Sequence, residues 1–170
     1  MGRTIRESIE SVASFLTQHP EEAIGEDLPA TAFVEDGLRC RADWPKGGSM
    51  LSDMPEALGG AASAPSPGWL LRAALATCDA TVIAMRAAAL GVELTTLEVT
   101  VASTSDDRGL VGIGEAKAGP IEMRTRVRVG AGGIDAQQLS ELVAWAEEHS
   151  PVGDALRRAM PMTTEVEIAG

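Results

Sequence analysis

The residues best suited to chemistry in this sequence are its two cysteines, Cys40 and Cys78. A cysteine attacks as the thiolate, and a peroxide oxidises that thiolate to a sulfenic acid. Cys78 lies in a long apolar segment, which disfavours the charged sulfur, so a cation must be brought to it from elsewhere. Each cysteine is also open to the simpler interpretation of a small buried apolar residue.

No metal or cofactor site is predicted. Two thiols without Cys-x-x-Cys spacing are too few for a zinc site. Residues 147–149, Glu-Glu-His, are consecutive at a predicted helix end and do not face one way. Gly109, Gly112 and Gly114 do not follow a strand and open a helix, as a dinucleotide-binding fingerprint would.

Cys78 is positioned by a predicted helix over residues 67–90, roughly 36 Å long. Ser66 is a suitable N-cap, and Gly91 is a typical residue to end a helix. Three charged residues, seven positions apart, form one narrow stripe along it: Arg72, Asp79 and Arg86. Since the rest is apolar, we expect burial on most sides, with a partner subunit as a natural second cover.

The remaining predicted elements combine helices with short strands. An amphipathic helix over residues 3–17 comes first, Asp36-Gly37 is a hairpin turn, and residues 106–109 are a turn or loop entry. The predicted strands span residues 31–35, 38–44, 49–53, 94–103, 121–129 and 162–168, and the later helices span 134–148 and 150–159. Runs of strands between helices predict an α+β fold with mostly antiparallel pairing. We divide the chain into an N-terminal helical extension, residues 1–20, and one domain, residues 21–170.

The composition of the chain limits the classes of molecule that it is suited to bind. The 170 residues carry a formal net charge of −11, and only 3% are aromatic. An acidic chain with few aromatic residues is poorly suited to nucleic acid or to an anionic membrane surface. The early acidic residues argue against a signal peptide, and the charges within residues 69–92 argue against a membrane span. We therefore expect a cytoplasmic protein.

Two motifs, roughly 70 residues apart, carry a family resemblance. Residues 59–78 join a glycine-rich loop to Ser-Pro-Gly and an apolar helix containing a cysteine. Residues 149–156 read His-Ser-Pro-Val followed by a leucine at the end. The chain resembles the OsmC and organic hydroperoxide resistance family, which has Asn-Pro-Glu before the cysteine helix and Cys-Pro-Val in the second motif. The order of elements from residue 31 to 168 also matches.

The resemblance implies an OsmC-like fold, with a long buried central helix packed on antiparallel sheets in an intertwined homodimer. It implies a cleft near the subunit interface, with the helix cysteine at its base and residues such as Trp69 and Leu75 in its wall. The implied activity is reduction of organic hydroperoxides by that cysteine. A second cysteine resolves the sulfenic acid, and an arginine and a glutamate hold the thiolate in its reactive form.

The family pattern is only partly present. Cys78 matches the attacking cysteine, but Gly68 stands where the family has the glutamate, and Ser150 stands where it has the second cysteine. The family arginine corresponds to Arg39, Arg41 or another residue. Because serine cannot form a disulfide, position 150 cannot resolve Cys78. Ser150 is interpreted as an N-cap before Pro151.

These departures leave two functions open. The first is a one-cysteine hydroperoxide reductase that uses Cys78 and an external thiol reductant, or Cys40 as resolver if the two Cα atoms lie within about 7 Å. The second is a non-catalytic dimer that binds an apolar small molecule in its interface cleft. Loss of thiol reactivity on Cys78→Ser would favour the first.

Overall fold

The computed structural model describes residues 2–169 and shows an α+β arrangement. Over these residues the α-helices are α1 (Ile5–Gln18), α2 (Pro67–Leu90), α3 (Asp107–Leu110), α4 (Ala136–Glu148) and α5 (Pro151–Arg157). The strands are β1 (Thr31–Asp36), β2 (Arg39–Asp43), β3 (Ser49–Ser52), β4 (Leu94–Thr104) and β5 (Glu122–Ala131). The predicted fold class, with its antiparallel sheets, is confirmed.

Local sequence signals set the bounds of α2, which agree with the prediction. The Ser66 side chain accepts a hydrogen bond from the Trp69 backbone N–H at 3.3 Å, so it caps the helix start. Gly91 ends the helix with a left-handed backbone, φ 73°, which glycine adopts without steric cost. The guanidinium of Arg6 on α1 donates to the Ala88 carbonyl at 3.2 Å, which satisfies one of the last carbonyls of α2.

A buried aspartate shapes the loop before α2. Asp53 accepts hydrogen bonds from the backbone N–H groups of Met54, Ala61 and Ser63, and from the Ser63 hydroxyl at 2.8 Å. These bonds, chiefly those from Ser63, hold the pKa of the Asp53 carboxyl below its usual range. Gly60 approaches so closely that a Cβ there would lie 1.9 Å from the Met54 carbonyl oxygen. The glycine is therefore required by backbone packing.

The core lies where α2 and α4 pack over the two-stranded sheet. β4 and β5 pair antiparallel, with Val99 opposite Val127. The buried cluster joins one side of α2 to one side of α4: Ile83, Ala87, Leu142 and Ala146. Partly buried valines of both strands pack against this cluster. The buried cluster is aliphatic throughout.

The three-stranded sheet stands apart from this core. Its order is β1-β2-β3, and among the described residues its substantial packing is within itself. Every residue of β1 is exposed, including Phe33 and Val34. The sheet is tied to the loop before α2 by Arg39, whose guanidinium donates to the Ser63 hydroxyl at 2.7 Å. The single chain therefore leaves apolar side chains of this sheet uncovered.

The charged stripe of α2 faces the body of its own chain. Arg72 donates to the Ser103 hydroxyl on β4 at 3.0 Å, and the Arg86 guanidinium lies 4.3 Å from the ring centroid of Trp145 on α4. Asp79 lies between them and is only 2% exposed. The single chain thus buries one side of α2, and the other carries exposed residues: Trp69, Ala74, Thr77, Thr81, Met85 and Leu90. By length and composition alone α2 could span a membrane, but here it is the core helix.

Three predictions of local structure need adjustment. The predicted strand over 162–168 is wrong, because residues 159–169 have no regular structure. A strand needs a hydrogen-bonded neighbour, and no strand among the described residues pairs with this segment, so Ile168 is 85% exposed. The turn predicted at 106–109 is the short helix α3, capped by Asp106. The last predicted helix ends at Arg157 rather than at residue 159.

Candidate thiol site

The two sequence motifs meet at Cys78 and Ser150. The Ser150 hydroxyl donates a hydrogen bond to the Cys78 sulfur across 3.3 Å, although the residues are 72 positions apart in sequence. Cys78 is partly exposed on α2, whereas Ser150 at the start of α5 is 0% exposed. The Ser150 oxygen also accepts from the Gly153 backbone N–H at 3.2 Å. The predicted N-cap is confirmed, and the same hydroxyl contacts the predicted nucleophile.

Close packing in α5 fixes this serine. Pro151 occupies the first helical position, and the buried Gly153 lies directly against the Ser150 side chain. A Cβ on Gly153 would lie 3.1 Å from the Ser150 oxygen and 3.2 Å from both terminal nitrogens of Arg157. A larger residue would therefore push on both side chains. The Ser150 hydroxyl has little freedom to leave the sulfur.

Arg157 is a cation beside this site that the sequence reasoning missed. It lies one helical turn after Gly153, on the same face of α5. Its guanidinium donates to the Glu147 carbonyl at 2.8 Å. The sequence places Arg157 four residues after Gly153, but it does not show that this face of α5 packs beside Cys78.

A cleft of about 370 Å³ is lined by Asp79 and Gly153, which are near neighbours in sequence of Cys78 and Ser150. Neither Cys78 nor Ser150 is itself among its lining residues, so the cysteine does not form its base as expected. Its walls come from α2, from the start of β5 and from α5: Leu71, Leu75, Asp79, residues 120–123, Thr125, Gly153, Leu156 and Arg157. Leu75 lines the cleft as predicted. Trp69 is not part of this wall and is 50% exposed, because it lies in the first turn of α2, two turns before the cleft centre.

The carboxylate of Asp79 is the unusual group in this cleft. Its Oδ1 atom is buried and has no hydrogen-bond partner among residues 2–169. Burying a charged carboxylate without a partner is costly, so proteins normally pair such a group. Asp79 follows Cys78 directly on α2, and it was predicted only as one member of the charged stripe. The structure makes it a second polar feature of the site.

The two arginines considered for thiolate stabilisation are engaged on the β1–β3 sheet. Arg39 contacts Glu35 and Ser63. Arg41 donates to Asp43 and, at 2.8 Å, to Glu35. The hydrogen bond that Arg41 donates to Asp43, followed by the one it donates to Glu35, raises the pKa of Arg41. Neither arginine contacts Cys78 among the described residues of this chain.

Cys40 and Gly68 take no part in the contact between Cys78 and Ser150. Cys40 is a free thiol on β2, facing Val34 and Ser52 of the neighbouring strands. Gly68 lies in the first turn of α2 in open surroundings, since the nearest atoms to a Cβ there are 4.0 Å away, on Arg72 and Ser66. Packing therefore does not require glycine at position 68. A steric constraint does not explain why the glutamate of the family pattern is missing there.

Comparison with known proteins identifies the fold and the family of the chain. The family model described as OsmC-like protein matches residues 60–165. An OsmC-like protein of Mycoplasma pneumoniae superposes with a TM-score of 0.66 at 16% identity, over 79% of this chain and 89% of that one. An organic hydroperoxide resistance protein of Legionella pneumophila gives 0.57 at 21% identity, over 78% and 92%.

A further structure, an OsmC-like protein of unknown function from Vibrio cholerae, gives a TM-score of 0.64 at 13% identity, over 77% of this chain and 94% of that one. No curated protein sequence matches the chain significantly. The structural matches establish the fold, and the family model covers most of the chain, including both motifs and the Cys78–Ser150 pair. The chain belongs to the OsmC family.

Proposed function

We propose that this protein reduces organic hydroperoxides with Cys78 as its single reacting cysteine. The observation that carries the proposal is the hydrogen bond from the buried Ser150 hydroxyl to a partly exposed cysteine beside a cleft. Structural neighbours that bear the name organic hydroperoxide resistance protein support the same chemistry. The cleft walls suit a substrate with an apolar body, since leucine side chains of α2 and α5 line them.

The first chemical step is a displacement at oxygen. The Cys78 thiolate attacks the terminal oxygen of ROOH, an S–O bond forms and the O–O bond breaks. The leaving alkoxide takes a proton and departs as the alcohol ROH, while Cys78 becomes a sulfenic acid. The sulfur is oxidised by two electrons and the peroxide is reduced by the same two.

The return to the thiol requires an external reductant. An outside thiol attacks the sulfenic acid, releases water and leaves a mixed disulfide on Cys78, and a second thiol then restores Cys78 and departs as part of a disulfide. Position 150 cannot supply the first thiol because it is serine. Cys40 lies on β2, in the sheet that stands apart from the α2 core, and both cysteines are free. We therefore assign the resolving thiol to another molecule.

We also propose that the functional form is a cytoplasmic homodimer. The single chain leaves one side of α2 and the β1–β3 sheet uncovered, with exposed apolar residues such as Trp69, Met85 and Phe33. Contiguous apolar surface of this kind favours association. Light scattering after size exclusion tests this directly. A mass twice that of the 17.7 kDa chain supports the dimer, and a mass equal to it refutes the dimer.

The central test measures sulfenic acid formation. The reduced protein receives one equivalent of cumene hydroperoxide in the presence of dimedone, and intact mass is recorded within seconds to minutes. We expect one dimedone adduct on wild type and on Cys40→Ser, but none on Cys78→Ser. An unmodified wild-type protein would refute the peroxidase, and an adduct retained in Cys78→Ser would refute the assignment of Cys78.

A non-catalytic, ligand-binding dimer is the second candidate. The observation that favours it is that no cation contacts Cys78 among residues 2–169, while the cleft next to it has leucine side chains in its wall. Under this function the wild type stays unmodified by hydroperoxide, and an apolar fluorescent probe binds the cleft. Leu156→Ala, at a partly exposed position of the wall, would then weaken probe binding because it removes apolar contact area.

A further inference from the structure

We propose that Ser150 is a positioning residue that keeps Cys78 in its reactive state, by donating its hydroxyl proton to the sulfur. This inference deepens the proposed peroxidase function and rests on it for its biological meaning. It goes beyond the N-cap role, because a cap requires only that the oxygen accept a hydrogen bond. Here the proton of the same hydroxyl is directed to the sulfur of another helix.

The bonding capacity of a hydroxyl makes the two roles compatible. A serine hydroxyl has one proton to donate and two lone pairs to accept. The Gly153 N–H uses a lone pair at 3.2 Å, so the proton remains for Cys78 at 3.3 Å. Ser150 is fully buried, and bulk water does not compete for this proton. The hydrogen bond is therefore protected on the Ser150 side, while Cys78 as a residue is partly exposed.

The bond stabilises the charged forms of the sulfur. A donor to the thiolate favours it over the thiol, because hydrogen bonds to a charged acceptor are stronger than bonds to a neutral one. The Arg39 and Arg41 guanidinium groups are engaged on the β1–β3 sheet, and Arg157 beside the site donates to the Glu147 carbonyl. The acidic neighbour Asp79 offers the sulfur no positive charge. Within residues 2–169, Ser150 is thus the residue that donates to the sulfur.

The serine also alters the fate of the sulfur once it is oxidised. A cysteine at position 150 would donate more weakly, since S–H is a weak donor, but it would offer a thiol for a disulfide. Serine gives the stronger hydrogen bond and no internal disulfide. We infer that this site favours formation of the Cys78 thiolate and gives up the internal disulfide that a cysteine at position 150 could form. An oxidised Cys78 therefore persists until a thiol of another molecule reaches it.

The experiment compares the pH dependence of Cys78 alkylation by iodoacetamide in full-length wild type and variants, read by peptide mass. Ser150→Ala removes the hydroxyl, and we expect about tenfold slower alkylation at pH 7, as loss of a hydrogen bond to a charged group predicts. The midpoint of the profile should rise, because the thiolate loses its hydrogen-bond donor. Ser150→Thr keeps a hydroxyl and should restore the wild-type midpoint.

Two further variants separate this role from helix capping and from misfolding. Ser66→Ala removes the N-cap of α2, the helix that carries Cys78, but leaves the hydrogen bond to sulfur in place. It should lower stability without moving the midpoint. Ser150→Cys preserves the size of the side chain, so it provides a folded test if the alanine variant does not fold. Its midpoint for Cys78 should also rise.

The outcomes distinguish this inference from the proposed function. Unchanged midpoints in folded Ser150→Ala or Ser150→Cys overturn the role of Ser150, whether or not the wild type reacts with cumene hydroperoxide. A raised midpoint together with a peroxide-inert wild type retains the role of Ser150 in tuning the thiol and refutes the peroxidase. A raised midpoint together with a dimedone adduct on wild type supports both.

Discussion

Replacing Asp79 by asparagine should stabilise the fold. The Asp79 carboxylate is 2% exposed, and its Oδ1 atom has no hydrogen-bond partner among the described residues. A buried polar group left unsatisfied costs about 1–3 kcal/mol, and more when it is charged. Asparagine keeps the shape and removes the charge, so we expect Asp79→Asn to raise the free energy of unfolding by about 1 kcal/mol or more.

Urea unfolding followed by tryptophan fluorescence measures this change, because Trp145 packs against the core. The matched control is Glu148→Gln, which removes one negative charge from an exposed position near the end of α4. This control measures how much the free energy of unfolding changes when the net charge of −11 becomes less negative by one unit at an exposed position. A variant Asp79→Asn that is less stable than wild type would refute the reasoning, since it would mean that the carboxylate has a hydrogen-bonding partner in solution.

Two further predictions concern the scaffold. Ile83 is 0% exposed between α2 and α4, so Ile83→Ala should lower the free energy of unfolding by about 2–5 kcal/mol in the same urea titration, whereas Ser140→Ala at an exposed position of α4 should change it little. Hydrogen bonds lower the pKa of Asp53, so its contribution to stability is complete above the ordinary aspartate value of about 3.9 and is lost as pH falls through the lowered one. The stability advantage of wild type over Asp53→Asn should therefore shrink below about pH 4, and an advantage that stays constant down to pH 2 would contradict this.

The most accurate predictions from the sequence are the elements whose first and last residues are set by local capping residues. α2 agrees at both ends because Ser66, Pro67 and Gly91 fix its start and its stop. The hairpin between β1 and β2 is present, but its turn is Gly37–Leu38 rather than Asp36-Gly37, because Asp36 still pairs with Arg39. The strands β4 and β5 agree with the predicted segments to within two residues. The failure over residues 162–168 is instructive, since their alternating pattern describes a surface that is suited to a sheet. An alternating apolar and polar pattern does not by itself provide a neighbouring strand with which the segment can form hydrogen bonds.

The site was predictable only in part. The two motifs indicated that Cys78 and Ser150 belong to one constellation, and the structure brings them within hydrogen-bonding distance. The direction of the Ser150 proton, the position of Arg157 and the unpaired Asp79 depend on how α5 and β5 close over α2, which no local pattern encodes. The role of Cys40, the N-terminal boundary of the domain and the partners of the protein remain predictions.

The loop around Gly60 has a consequence for how relatives of this chain are interpreted. Gly60 is required because its backbone lies against Met54 and the Asp53 carboxylate, and Ser66 is required to begin α2. These residues preserve a shape, and they are compatible with different polar groups at positions 68 and 150. Inheritance of the scaffold and inheritance of the chemistry are therefore separable. Two chains can share this entire architecture and differ in whether a peroxide-modified sulfur is repaired from within the protein or by another molecule.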